Sequence, residues 1–398
     1  MRICFLCQSL ETLGGVQRAV VLLANELANR GEHIAVLMDG PNLNANPYGL
    51  SNRVQILEVE PTGERSIISR CVSKVRQHTG FPHPRIHNGR FPESILTGEE
   101  FNLMRSRLAD GHFDFVVGCD PLHTIFAVYM CDGFEAKVCG WQHSTYDGYF
   151  RQKGRGYYGL TELYRDAIGH CSVNFVLTDE SRKVYERELG CSAFVLPNSI
   201  TDLGLRSKAE NCVLYCGRLD SGSKGADYLP AIASGLAESG FEGLFEVVGD
   251  GPYRSELERW VSDAELPFQM VFEGFVSNPD DYYGHASVLI SPSRWEGFGL
   301  SILEGMSHGV PCVAFDNDGP RSIITDGFDG YIVPNGSSVG LVDKTMGLIN
   351  DAALRCRMGD RAVETARGFL VSTQADTFLS ILEGAIDGQE APYHCRRC

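Results

Sequence analysis

Two carboxylates, Glu296 and Glu304, lie eight positions apart in the segment Ser-Pro-Ser-Arg-Trp-Glu-Gly-Phe-Gly-Leu-Ser-Ile-Leu-Glu, which begins at Ser291. The pattern predicts a strand that ends at Ser291, a glycine-rich turn, and a helix that starts near Gly299. Free N–H groups at a helix N-terminus hold phosphate oxygens, and carboxylates accept paired hydrogen bonds from sugar hydroxyls. Together these features suit a nucleotide-sugar. The apolar neighbours of Glu304 argue against an ordinary surface position for it.

Two cations, Arg218 and Lys224, occur where another predicted strand ends and its loop begins. An arginine offers a planar fork and a lysine a point charge, and both suit a diphosphate. Either residue alone is more often a plain surface charge. Their pairing at the end of one strand, in the acidic half of the chain, favours an anion site.

A glycine turn, Gly14-Gly15, follows the first predicted strand. Glycines at this position let backbone N–H groups approach an anion, but a plain strand-to-helix turn explains them equally well. The fuller G-x-G-x-x-G pattern is absent, which counts against a nicotinamide enzyme.

Short apolar segments alternate with helical periods along most of the 398 residues, which predicts repeated β-α units and doubly wound parallel sheets. The length exceeds that of one ordinary core. We expect an N-terminal Rossmann-like domain over 1–197 and a C-terminal one over 198–371, with a final helix at about 372–388 packing back on the first. The two sheets should face each other across a cleft, with ligands at the carboxyl ends of the strands. Residues 60–110 are less regular.

The predicted strands fall into two series, one in each half. The first comprises Arg2–Leu6, Ile34–Met38, Phe113–Gly118, Ala136–Trp141, Val173–Thr178 and the weak Phe194–Leu196. The second comprises Val213–Cys216, Leu244–Val248, Gln269–Phe272, Val288–Ser291, Pro311–Phe315 and Gly330–Val333.

Composition and charge exclude several classes of protein. No apolar run reaches the roughly 20 residues that span a bilayer, and the N-terminus lacks a secretory signal pattern, so we expect a cytoplasmic protein. Most of the 14 cysteines lie in apolar runs and are expected to be small hydrophobes, and Cys395 and Cys398 lie in what reads as a frayed tail. The net charge of −16 disfavours a nucleic-acid partner.

One acid-free basic stretch, 65–90, stands out in the near-neutral N-terminal half. Its cations are Arg65, Arg70, Lys74, Arg76, Arg85 and Arg90. Two interpretations stay open, a solvated helix-loop and a patch that meets anionic lipid or a diphosphate-bearing acceptor. The second would place the protein peripherally at the inner face of the membrane.

The segment around Glu296 resembles the E-x7-E signature of retaining glycosyltransferase family 4, whose fold is GT-B. Further motifs resemble that family along the C-terminal half and at scattered N-terminal positions. They are Gly14-Gly15-Val-Gln-Arg, Gly217-Arg218-Leu with Lys224-Gly225, Val248–Pro252, Phe272–Val276, His308–Val313, and Gly319-Pro320 with Gly327 and Gly330. Ser322 stands where many relatives carry a glutamate, which leaves the identity of the sugar undetermined.

The resemblance implies roles for individual residues. In catalysis, Glu296 would contact hydroxyls of the donor sugar, His143 would lie near that sugar, and Arg218 and Lys224 would neutralise the departing diphosphate. Glu304 would contact the ribose. Phe275 and Val276 would line the base pocket. The other residues implied in binding the nucleotide-sugar are Gly14 and Gly15 of the N-terminal glycine loop, and Gly297, Phe298, Gly299 and Leu300.

These inferences predict a retaining glycosyltransferase that moves a hexose from a nucleotide-sugar, with UDP as the expected nucleotide, to a glycan or lipid-linked acceptor. Its role would be in cell-surface polysaccharide or glycolipid synthesis. The resemblance implies no cofactor and no metal, and we interpret Asp316-Asn-Asp318 as structural or sugar-facing rather than as a metal motif. Two alternatives remain: a GT-B sugar-nucleotide epimerase and a catalytically silent sugar-binding relative.

Overall fold

The structure is a computed structural model, and it describes residues 1–10, 14–39, 46–59, 79, 96–153, 157–205 and 211–387. The chain divides into two compact units, Met1–Pro197 with Val371–Cys398 and Asn198–Leu370. Across these described ranges, no helix is both long and apolar enough to cross a membrane. The cations of the 65–90 stretch and the Cys395/Cys398 pair lie outside the described residues.

The first unit is built on a parallel sheet. Its strands are β1 (Arg2–Cys7), β2 (His33–Met38), β3 (Gln55–Leu57), β4 (Phe115–Gly118), β5 (Lys137–Trp141), β6 (Val173–Val176) and β7 (Phe194–Val195). Its helices are α1 (Gly15–Asn29), α2 (Gly98–Gly111), α3 (Pro121–Met130), α4 (Tyr146–Phe150), α5 (Thr161–Ile168) and α6 (Asp179–Leu189). The strand order is β3-β2-β1-β4-β5-β6-β7, so the order reverses beside β1, where ligand sites of such sheets form.

Both faces of this sheet are covered by apolar side chains. Along β1, Cys4 and Leu6 belong to one buried cluster, whereas Ile3, Phe5 and Cys7 belong to the cluster on the other face. This alternation follows from the two-residue period of a strand. Cys4 and Cys7 are therefore buried free thiols on opposite faces of the sheet.

A last helix, α14 (Val371–Ile386), belongs to the first unit although it follows the second in the chain. Its Phe378 ring packs 6.1 Å from the ring of Phe5 and 5.2 Å from that of Phe175. The guanidinium group of Arg30, the residue that follows α1, bonds the Asp376 carboxylate and also donates to a backbone carbonyl of α14. Apolar packing and a charged contact thus hold α14 against α1 and the sheet.

The second unit repeats the β-α pattern around its own parallel sheet. Its strands are β8 (Cys212–Cys216), β9 (Leu244–Val248), β10 (Gln269–Gly274), β11 (Val288–Ser291), β12 (Cys312–Phe315) and β13 (Gly330–Val333). Its α-helices are α7 (Leu229–Glu238), α8 (Arg254–Asp263), α9 (Asp280–His285), α10 (Leu300–Ser307), α11 (Asp318–Ile323), α12 (Ser338–Asn350) and α13 (Ala352–Arg367). The strand order β10-β9-β8-β11-β12-β13 reverses beside β8. The predicted doubly wound α/β class is confirmed.

Two parts of the first unit differ from the prediction. The strand β3 was not predicted, because its three residues are too few to show a period. The stretch 60–110 contains the helix α2, which begins with a capping box: the Glu100 N–H donates to the Thr97 hydroxyl at 3.2 Å, and the Thr97 N–H donates to the Glu100 carboxylate at 2.9 Å. The Thr-x-x-Glu spacing at this point was a usable signal for a helix start.

Candidate active site

The turn between β11 and α10 depends on a glycine at the start of the helix. Gly299, the residue before α10, has φ of 106°, in the left-handed region that side chains with a Cβ rarely adopt. This turn directs the first N–H groups of α10 out of the end of the sheet, where they can meet an anion. The structure therefore contains the helix N-terminus that the sequence predicted, one residue later, at Leu300.

The Glu296 carboxylate lies in this turn and forms an ion pair with the Lys224 ammonium group. The Ser293 hydroxyl is also 3.4 Å from the same carboxylate oxygen. The Glu296 side chain is 14% exposed and that of Lys224 is 29% exposed, so the pair is largely shielded but open to solvent on one side. Because β8 and β11 are neighbours in the sheet, the loops that follow them meet at its carboxyl edge.

The loop that carries Lys224 is fixed against the loop that carries Glu296. Gly225 has φ of 64°, and a Cβ there would overlap the carbonyl oxygen of Pro292. The Arg294 N–H donates to the Ser223 carbonyl at 2.8 Å. The Arg294 guanidinium makes a bidentate contact with Asp227 at 2.6 and 2.7 Å. Such paired bonds are the geometrically specific form of an arginine–carboxylate contact.

Glu304 is buried, with 6% of its surface exposed. The Tyr283 hydroxyl on α9 donates to its Oε2 at 2.8 Å. Burial raises the pKa of Tyr283 well above its usual range, and the nearby Cys216 and Glu304 add to that effect, so the phenol keeps its proton at neutral pH. A buried carboxylate needs such a bond, because burial without one costs several kcal/mol. Glu304 is therefore a placed polar group and not a surface residue of the helix.

Arg218 is exposed on the short loop after β8. Two glycines that follow β9 allow this loop to lie close to the β9 end: a Cβ on Gly249 would overlap the Gly217 carbonyl, and one on Gly251 would overlap the Leu219 carbonyl. Backbone bonds of 2.9 Å from Gly217 and Leu219 to the β9 end and its loop complete the contact. The glycines of the 248–252 motif thus position the Arg218 loop.

Phe275 and Val276 follow β10 directly, and the Phe275 ring is 46% exposed. The Gly249 N–H donates to the Gly274 carbonyl at 2.7 Å, which ties the β9 and β10 ends together. The carboxyl edge of one sheet therefore carries the predicted base-pocket residues, both cations and Glu296 in the loops after its strands. Glu304 lies in the helix α10 that begins there.

The remaining predicted site residues belong to the first unit. His143 follows β5, and its ring lies 4.2 Å from the Trp141 ring. Its backbone N–H donates to the Tyr149 hydroxyl at 3.1 Å. Gly14 precedes α1, and its N–H donates to the Tyr48 hydroxyl at 2.9 Å, so that N–H already has an acceptor. Both positions lie after carboxyl ends of strands.

One charged cluster in the first unit was not predicted. His123, on α3, is buried, with its Nδ1 2.7 Å from Asp120 and its Nε2 3.3 Å from Asp39. Burial alone would lower the pKa of His123, but the two carboxylates outweigh it and raise that pKa to about 10. Burial raises the pKa of Asp120, but His123 and the Tyr157 hydroxyl outweigh it and lower that pKa.

This cluster is an imidazolium ion between two carboxylates, placed after β2 and β4 beside the point where the strand order reverses. A usable signal was Asp-Pro-Leu-His, which begins at Asp120, two residues after the end of the predicted strand Phe113–Gly118, because Asp and Pro are typical of a helix start.

The fold that these units define is GT-B. A solved structure of a TarM mutant from S. aureus, in complex with Fondaparinux, alpha-GlcNAc-glycerol and UDP, is similar to this chain with a TM-score of 0.76. The likeness covers 96% of this chain and all of that one, at 14% sequence identity, and it concerns the fold.

Residues 202–365, nearly all of the second unit, match the family described as glycosyl transferases group 1. The chain is 34% identical over 152 residues to the alpha-D-kanosaminyltransferase of Streptomyces kanamyceticus, a match that spans 38% of this chain and 39% of that protein. It is 25% identical over 400 residues to the phosphatidyl-myo-inositol mannosyltransferase of Mycobacterium leprae, a match that spans 96% of this chain and 96% of that protein. The likeness to the family thus concerns the second unit, and the likeness to the mannosyltransferase extends over nearly the whole chain.

Proposed function

We propose that this protein is a retaining glycosyltransferase of family 4 that transfers a hexose from a UDP-sugar to a glycan or lipid-linked acceptor. The observation that carries the proposal is the Lys224–Glu296 ion pair, which brings a cation and a carboxylate together in front of the N-terminus of α10. A nucleotide-sugar needs this combination, because it presents a diphosphate beside sugar hydroxyls. The second unit would bind the nucleotide-sugar and the first unit the acceptor.

In the proposed reaction the bond between the anomeric carbon and the diphosphate oxygen breaks, and its electron pair leaves with the nucleoside diphosphate. Lys224, Arg218 and the N–H groups at the start of α10 stabilise that growing negative charge. Binding of the diphosphate would draw Lys224 away from Glu296, which frees the carboxylate for the hydroxyls of the sugar. Lys224 would thus bind the diphosphate of the substrate, and Glu296 would bind its sugar.

The acceptor hydroxyl attacks from the side on which the diphosphate leaves, so the configuration at the anomeric carbon is kept. The proton of the acceptor hydroxyl passes to the departing diphosphate oxygen. The new glycosidic bond forms between the acceptor oxygen and the anomeric carbon. His143 would lie near the donor sugar, and Glu304, held by Tyr283, would accept hydrogen bonds from the ribose. Phe275 and Val276 would flank the base.

A panel of nucleotide-sugars tests the proposal through thermal stabilisation and turnover measured together. A bound ligand raises the apparent stability by mass action, so UDP-sugars should shift the melting temperature. Turnover should release UDP only when an acceptor is present, and NMR of the product should show the anomeric configuration of the substrate. An altered sugar nucleotide without any acceptor would indicate an epimerase, and stabilisation without turnover on any acceptor would indicate a silent relative. Inverted products would overturn the retaining mechanism.

We further propose that the basic stretch 65–90 meets a membrane surface, which would bring the enzyme to a lipid-linked acceptor. The support is its sequence, since clustered lysines and arginines attract anionic lipid at about 1 kcal/mol each. Replacing Arg65, Arg70, Lys74 and Arg76 by glutamine should reduce co-sedimentation with vesicles that contain phosphatidylglycerol. Binding to purely phosphatidylcholine vesicles serves as the control. Equal co-sedimentation of both proteins with the anionic vesicles would favour the solvated helix-loop instead.

A further inference from the structure

Three different metal-binding side chains converge in the second unit. Cys212 is the first residue of β8, Glu246 lies within β9, and His285 is the last residue of α9. The Glu246 Oε2 atom is 3.3 Å from the Cys212 Sγ atom and 2.6 Å from the His285 Nε2 atom. One ligand atom from each residue lies within 4.8 Å of the other two. The sequence contains no metal-ligand spacing that predicts this cluster, because each of the three residues lies on a separate helix or strand.

The burial of Glu246 calls for an explanation. It occupies the centre of the otherwise apolar strand Leu-Phe-Glu-Val-Val, and 7% of its surface is exposed. A carboxylate is expensive to bury unless a cation or several hydrogen bonds compensate it. His285 supplies one partner, and its side chain is 40% exposed, so this corner of the site opens to solvent.

The distances also approach those of a zinc site. In a tetrahedral zinc site, bonds of about 2.0 to 2.3 Å separate neighbouring ligand atoms by about 3.3 to 3.7 Å. The distance between the Cys212 Sγ atom and the Glu246 Oε2 atom, 3.3 Å, already lies in this range. The His285–Glu246 pair would have to open by less than about 1 Å, which an exposed histidine at the end of a short helix can provide.

We propose that Cys212, Glu246 and His285 bind one Zn²⁺ ion, with water from the open side as the fourth ligand. A thiolate, an imidazole and a carboxylate together favour zinc, whereas Mg²⁺ and Ca²⁺ prefer oxygen ligands alone. Binding takes the metal from solution and releases the thiol proton, and any proton on His285 Nε2, to water. No oxidation state changes.

This site is separate from the proposed nucleotide-sugar site. Cys212 opens β8 at the amino edge of the sheet, whereas Arg218 and Lys224 follow the carboxyl end of the same strand. The role of the ion would be structural, because it would join β8, β9 and α9. The short helix α9 also carries Tyr283, which donates to Glu304, so zinc would steady the element that holds that carboxylate.

Cobalt binding tests the proposal on the full-length chain. The terminal His-Cys-Arg-Arg-Cys offers thiols of its own, so the protein should carry Cys395→Ser and Cys398→Ser. Titration with Co²⁺ should then give a thiolate-to-cobalt charge-transfer band that saturates at one equivalent and disappears when Zn²⁺ is added. Zn²⁺ should also raise the melting temperature in the absence of any nucleotide-sugar.

Two variants and one control locate the ion. Cys212→Ser should abolish the band, and His285→Ala, a change at a partly exposed side chain, should weaken Co²⁺ binding at least about tenfold. The matched control is Cys312→Ser, since Cys312 is a buried thiol that opens β12 in the same sheet. The charge-transfer band should persist in the Cys312→Ser variant.

A band that survives Cys212→Ser, or the absence of both band and zinc stabilisation in the parent protein, would overturn the site and leave a plain His285–Glu246 hydrogen bond. These outcomes do not depend on glycosyl transfer. A failed search for a sugar substrate and a failed zinc site are therefore distinguishable.

Discussion

Lys224 and Glu296 form an ion pair across 72 positions of the sequence, and this contact joins the loop after β8 to the loop after β11. Two neighbouring parallel strands bring the loops together, and Gly225 and Arg294 fix their approach. The pair therefore depends on the backbone that surrounds it, and several substitutions can test what each part contributes.

Replacing Glu296 by alanine should remove glycosyl transfer and leave the fold intact. The change deletes a hydrogen-bonding carboxylate from an ion pair that is open to solvent on one side, so we expect a loss of about 1 kcal/mol in stability. We expect kcat to fall at least about a hundredfold, the effect of losing a placed polar group at a reacting centre. Steady-state kinetics and thermal melting measure the two quantities. Glu238→Ala, at an exposed position on α7, is the control, and full activity of Glu296→Ala would refute the assigned role.

Replacing Lys224 by alanine should weaken binding of the diphosphate specifically. Calorimetry should show a loss of at least about tenfold in affinity for UDP, as expected when a charge-assisted contact is removed. The affinity for uridine, which has no phosphate, should change little. An equal loss for both ligands would mean that the loop had been distorted and that Lys224 does not contact the diphosphate.

Replacing Tyr283 by phenylalanine should affect both stability and nucleotide binding. The variant removes the hydroxyl that donates to the buried Glu304 carboxylate, at an expected cost of about 1 to 3 kcal/mol in the free energy of unfolding. The Michaelis constant for the nucleotide-sugar should also rise. Tyr282→Phe is a matched control, because that neighbouring hydroxyl donates to the exposed Glu273 at 3.3 Å. Denaturant titration should separate the two variants, and equal stabilities would contradict the importance of the buried bond.

Replacing Gly225 by alanine should disrupt the Lys224 loop. The position combines a positive φ with a Cβ that would overlap the Pro292 carbonyl. Gly240→Ala isolates the first effect, since Gly240 has φ of 79° with open space around it. Gly240→Ala should cost about 1 to 2 kcal/mol for the left-handed backbone. Gly225→Ala should cost more and reduce transfer, whereas matching losses in stability would show that the loop can give way to the methyl group.

The His123 cluster predicts a pH dependence of stability. The pKa of His123 is raised from its ordinary 6.5 to about 10, so the folded state holds the proton more tightly than the unfolded state. The resulting stabilisation is fully present below about pH 6.5 and is lost progressively as the pH rises to about 10. Urea titrations at about pH 6 and about pH 9 should show this loss. His123→Gln should reduce it, and His170→Gln, at an exposed position, should not.

NMR provides the direct measurement for this cluster. The ring protons of His123 should keep the chemical shifts of an imidazolium ion up to at least about pH 9, because the pKa lies near 10. A midpoint near the ordinary value of histidine would show that Asp39 and Asp120 do not hold the proton.

Much of the fold followed from the sequence, because buried parallel strands leave short apolar runs between helical periods. Leu244–Val248, Val288–Ser291 and Gly330–Val333 have the predicted bounds, and most of the other strands differ by one or two residues at an end. The strand β3 was missed, because its few residues are paired by β2 rather than specified by their own pattern.

Some features of the candidate site could likewise be predicted from local sequence, and others could not. The local signals predicted the helix start to within one residue of Leu300, since a glycine-rich turn before an apolar helix has few alternatives. The roles of Glu296 and Glu304 stay predictions. Local signals cannot reveal that Tyr283 donates to Glu304, or that two aspartates enclose His123. Each of these contacts is made between residues of different helices, strands or loops, and the packing of those elements determines it.

The amino-acid sequence by itself thus determined the two series of β-α units and the chemical types at the strand ends, because periodicity and turn composition are local properties. The tertiary structure decided which of those groups meet. Strand order placed β8 beside β11, so Lys224 reached Glu296, and it placed β9 beside β8, so Glu246 reached Cys212. The physical reason is that the chemical type of a side chain is fixed by the sequence, whereas its partners are set by the register and order of the sheet.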